Sequence, residues 1–81
     1  MRFLKKGLNL MNAMILSYEN DLRRVEARIE RLVSESRGAV GAKAIKRRIV
    51  VLRDERRGLK ESIKAMNDYV REVSKRSALA S

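Results

Sequence analysis

Apolar side chains recur along the first half of the chain at Leu4, Leu8, Met11, Ile15, Tyr18, Leu22, Val25, Ile29 and Leu32, in steps alternating between four and three residues. Such steps keep one stripe of a helix turned toward one neighbour, the pattern of a coiled-coil seam. A second run occupies Ile45, Ile49, Leu52, Arg56, Leu59, Ile63, Met66, Val70 and Val73, broken only by Arg56. No alternation with a period of two appears, and Ala, Leu, Arg, Glu and Lys, all strong helix formers, dominate. The pattern predicts an all-α single domain over residues 1–81. One helix covers about 3–36 and a second about 41–76, followed by a short C-terminal tail.

Between the runs lies Ser36-Arg37-Gly38-Ala39-Val40-Gly41, where the seam also slips phase. Continuing from Leu32 in the same steps reaches Ser36, Ala39, Lys43 and Lys46 instead of Ile45. Two glycines and a phase slip predict a turn at about 37–41, with Gly38 as a left-handed residue ending the first helix. One continuous helix in a parallel dimer is the alternative. It carries both glycines in mid-helix, at about 1 kcal/mol each. Folding at the turn yields an antiparallel two-helix coiled-coil hairpin. Leu32 is then expected opposite Ile45, Ile29 opposite Ile49, Val25 opposite Leu52, Leu22 opposite Arg56 and Tyr18 opposite Leu59. Arg56 is expected to lean out of the seam and pair with Asp21 or Glu19, since a lone buried charge costs several kcal/mol.

Beside the seams runs a second apolar face, made of Phe3, Leu10 and Met14 on the first helix and Val51, Gly58, Ala65 and Tyr69 on the second. Its small residues let another helix approach closely. Small domains bury a limited fraction of their surface, so a second copy that covers this face in a four-helix bundle is expected. A foreign protein partner is the other candidate.

Charge changes the picture further. Twenty Lys and Arg stand against 10 Asp and Glu, for a net charge of +10. From Ser36 to Arg53 the cations Arg37, Lys43, Lys46, Arg47, Arg48 and Arg53 occur with no acid among them. Lys46, Arg53, Arg57, Lys60, Lys64 and Arg71 share one flank of the second helix. Such a surface attracts polyanions. The expected polyanion-binding set is Arg37, Lys43, Lys46, Arg47, Arg53, Arg57, Lys60 and Lys64, with nucleic-acid backbone as the ligand and an acidic protein surface as the alternative. No aromatic residue lies in the basic stripe, so stacking on bases is not expected.

Several classes are disfavoured. The chain has no Cys and no His, which removes disulfides, thiolate sites and the commonest general base and metal ligand. There is no Gly-rich phosphate loop and no nucleophile beside a base, so neither an enzyme nor a bound metal or cofactor is expected. No apolar run approaches the roughly 20 residues that span a bilayer. The start, Met1-Arg2-Phe3-Leu4-Lys5-Lys6, has the flavour of a leader or a lipid-binding helix. The seam nevertheless runs through it without a break, so it reads as part of the fold. A cytoplasmic setting, or one within a virion or larger assembly, is expected.

In topology, length class and heptad seams the chain resembles the Rop-type plasmid RNA-binding hairpins, which pair into four-helix bundles. No specific motif is shared, so the resemblance implies no residue roles. The expected function is a non-enzymatic interaction module that binds a polyanion. The alternative is a protein–protein adaptor, a small chaperone, or a phage or virion structural component that docks through its apolar open end.

Overall fold

A computed structural model describes residues 2–37 and 42–80, with side chains for 7–37 and 42–79. Two helices make up the described residues: α1 (Arg2–Ser36) and α2 (Ala42–Ala80). At 1.5 Å per residue one helix of the whole chain would measure about 120 Å. The molecule measures 63 × 15 × 13 Å, so the arms fold back on each other. The expected turn residues 38–41, including Gly38 as a cap, lie outside the described residues. α1 ends in a tightened last turn, where the Ser36 hydroxyl donates to the Val33 carbonyl at 2.8 Å and the Arg37 amide to the Ser34 carbonyl at 3.4 Å. α2 runs four residues past its expected end at 76. Ser77, Ala78, Leu79 and Ala80 include no Gly or Pro to stop it.

Burial follows the seam. Ile15, Val25, Ile29, Leu32 and Ile49 are buried. Leu8, Met11, Tyr18, Leu22, Ile45, Leu52, Leu59, Ile63, Met66, Val70 and Val73 are half-buried. The core is densest near the turn, where Val25, Ile29, Leu32 and Ile49 form one cluster with Val33, Ile45, Leu52 and Leu59 packed against it.

Leu59 fixes the stagger of the two arms. It lies about 15 Å beyond Ile49 along α2, so the cluster member it reaches is Val25. Pairing Tyr18 with Leu59 and Val25 with Leu52 would instead leave Leu59 and Val25 about 10 Å apart along the axis, too far for side chains to touch. α2 is therefore displaced by about one layer from the expected pairing. Leu32 lies level with Ile49, Ile29 with Leu52, Val25 with Arg56 and Leu22 with Leu59. Ser36 and Ser77, half-buried at the two ends of the seam, fit this stagger. The sequence alone could not exclude the other pairing, because both place an apolar residue opposite an apolar residue at almost every level.

Candidate functional site

All eight residues expected to bind a polyanion are exposed. Six of them form one line. Lys43, Lys46, Arg53, Arg57, Lys60 and Lys64, continued by Arg71, follow each other at helical spacing down α2, interrupted only by Val50 and Asn67. The line is about 42 Å long. Arg57 donates to Asp54 at 2.7 Å, an exposed pair within one turn. The other ion pair among the described residues is Arg76–Glu72 at 3.6 Å. Exposed pairs of this kind contribute at most about 1 kcal/mol.

The line has an inner and an outer row. Val33 of α1 borders a hollow with Lys46, Val50 and Arg53 of α2, so the α1 row of Glu19, Glu26 and Val33 runs beside the inner row of Lys46, Arg53 and Lys60. With the stagger above, Glu26 lies within about 3 Å of Arg53 along the axis, and Glu19 within about 3 Å of Lys60. Among the described residues Glu19 and Glu26 are the half-buried acids, as expected for carboxylates beside a seam. Lys43, Arg57, Lys64 and Arg71 form the outer row, facing away from α1.

Arg56 is half-buried and leans toward this same flank, where it borders a hollow with Arg53, Asp54, Arg57, Lys60 and Glu61. The ion pair expected with Asp21 or Glu19 is not made among the described residues. Asp21 follows Met14 and precedes Arg28 by seven residues each way, which places it on the opposite flank, exposed. Glu19 shares the flank of Arg56 but stays beyond ion-pair distance.

Arg47 and Arg37 do not join the line. Arg47 borders a groove of about 360 Å³ on the other side of the hairpin, together with Arg28, Arg48, Leu32, Val51 and Leu52. Arg37 sits at the end of α1 beside Ile29, Glu30, Val33 and Ser34. The sequence reading missed Arg28 as a partner of Arg47 and Arg48.

The side that carries this groove also carries the expected interface. Leu10, Met14, Val51 and Tyr69 are 68%, 47%, 65% and 56% exposed, and Gly58 and Ala65 are exposed as well. A Cβ on Gly58 would meet nothing within 4 Å, so packing within the hairpin does not require glycine there. The Phe3 side chain lies outside those described. Leu16 and Val50, 60% and 58% exposed, sit on the opposite, basic side, and the sequence reading did not single them out.

Among the described residues no group of three or more His, Cys, Asp or Glu side chains could hold a metal ion. No described helix is long and apolar enough to cross a membrane. The chain matches no protein-family model, no curated protein and no solved structure.

Proposed function

We propose that the protein is a non-enzymatic helical hairpin that binds nucleic-acid backbone along the basic flank of α2. The observation that carries this reading is the helical line of exposed cations from Lys43 to Arg71, interrupted only by Val50 and Asn67. Its length of about 42 Å exceeds one turn of duplex, about 34–36 Å, so a rigid rod can meet phosphates on both sides of a groove. No aromatic ring lies along it, which favours contact with phosphates over contact with bases. The outer row carries most of the contact, because the inner row shares its field with Glu19 and Glu26. The setting is the cytoplasm or the interior of a virion or larger assembly, where such polymers are present. A mobility-shift titration with random-sequence duplex DNA and with RNA at low salt tests the reading. Binding that is lost in the double variant Arg57→Glu, Lys64→Glu supports it, and no shift with any polynucleotide overturns it.

The same reading includes self-association. The small residues Gly58, Ser62 and Ala65, flanked by Leu10, Met14 and Tyr69, offer a second hairpin a close approach toward a four-helix bundle. Sedimentation of the wild type against Met14→Glu tests this part.

A second reading is favoured by the exposed Leu10, Met14, Val51 and Tyr69: an adaptor, small chaperone, or phage or virion component held by a protein partner. Retention of a bound protein from the host after nuclease treatment separates it from the first.

A further inference from the structure

The groove at the turn end of the hairpin combines two chemistries that the basic flank lacks. Arg28 of α1 and Arg47 and Arg48 of α2 surround it, and its floor is Leu32, Leu52 and the 65%-exposed Val51. No acid lines it. Glu35 and Glu55 lie on the same flank, seven residues beyond Arg28 and Arg48, and neither pairs with the three arginines among the described residues. Three guanidinium groups gathered from two helices without a counter-charge repel one another, and an occupant that supplies carboxylates relieves this. A phosphate backbone would satisfy the arginines but leave Val51 against water. An acidic protein segment with an aliphatic side chain among its carboxylates satisfies both.

From this charge and apolar complementarity we infer that the groove docks an acidic, aliphatic-bearing segment of a partner protein. The aliphatic side chain lies against Val51 and Leu52, and carboxylates reach Arg28 on one side and Arg47 and Arg48 on the other. Arginine forks suit paired carboxylate contacts at such a rim. The site uses none of the residues of the Lys43–Arg71 line except through the fold, so it stands or falls separately from nucleic-acid binding.

The test uses the full chain and three fluorescent probes: a short helical peptide of Glu and Leu, its twin with Leu replaced by Ser, and an RNA oligonucleotide. The expected result is that the Leu peptide binds at least about tenfold tighter than its Ser twin, a difference of roughly 1.4 kcal/mol. Val51→Asp and the double variant Arg28→Gln, Arg48→Gln are each expected to remove that preference while leaving RNA binding unchanged. Val51→Ser serves in place of Val51→Asp if circular dichroism shows a loss of helix. Equal binding of the two peptides, no binding of either, or RNA binding that is lost with Val51→Asp would each overturn the assignment.

Discussion

Leu59 on α2 packs against the buried cluster near the turn, in which Val25 of α1 is the member within its axial reach. This packing sets Val25 level with Arg56 and Leu22 level with Leu59. In a double-mutant cycle, Val25→Ala and Leu59→Ala couple by at least about 0.5 kcal/mol, as residues in contact do. Leu32→Ala and Leu59→Ala, about 15 Å apart along the axis, stay additive within roughly 0.5 kcal/mol. Urea unfolding at one fixed protein concentration measures both cycles. Additivity of Val25→Ala and Leu59→Ala would instead restore the pairing of Tyr18 with Leu59.

Neighbouring residues on α2 separate core from surface. Ile49 is 6% exposed and Val50 is 58% exposed. Ile49→Val lowers the unfolding free energy by about 0.5–1.5 kcal/mol, the cost of one buried methyl group plus its cavity. Val50→Ala, on the open side, changes it by less than about 0.5 kcal/mol. Equal losses at the two positions would mean that something covers the Val50 side.

Arg56 occupies a seam position, level with the buried Val25, and makes no ion pair among the described residues. Replacing it by Leu completes the apolar seam and removes the desolvation of a half-buried cation. The variant is expected to be more stable by about 1 kcal/mol, read as a rise in Tm of several degrees. A fall in Tm would show that Glu19 or Glu26 already compensates the charge in solution.

The line from Lys43 to Arg71 gives a quantitative signature. Each phosphate neutralised contributes about −0.9 to the slope of log K against log salt for duplex DNA. Contact by the four cations of the outer row predicts a slope of roughly −3 to −4. Lys64→Glu makes it shallower by about one or more, whereas Arg47→Glu, on the other side of the hairpin, changes it less. A slope near zero would remove phosphate contact as the basis of binding.

Much of this surface was legible in the residues themselves. The alternating steps from Leu8 to Leu32 and from Ile45 to Val73 named the residues that are buried or half-buried, because a single neighbour permits only one stripe to leave water. Exposure of Leu10, Met14, Val51 and Tyr69 followed from the same count. The stagger was not legible from the seam. A shift by one layer exchanges Ile45 for Ile49 opposite Leu32, at almost no cost in apolar contact. Level alone suggests Asp21 as a partner of Arg56, but its heptad position puts it on the opposite flank. Arg47 belongs to the expected polyanion-binding set through the cations around it in sequence, although one residue beyond Lys46 a helix has turned by about 100° to another face.

The antiparallel meeting of the two arms underlies every surface described. The chain has no Cys, so Asn9→Cys and Ser74→Cys admit two spin labels and nothing else. Distances are measured by double electron–electron resonance on labelled chains diluted into unlabelled protein, so that each distance lies within one molecule. The hairpin predicts a distribution centred near about 20 Å, the 8–10 Å between helix axes plus the label arms. A distribution centred near 100 Å, the length of continuous helix between those positions at 1.5 Å per residue, would contradict it.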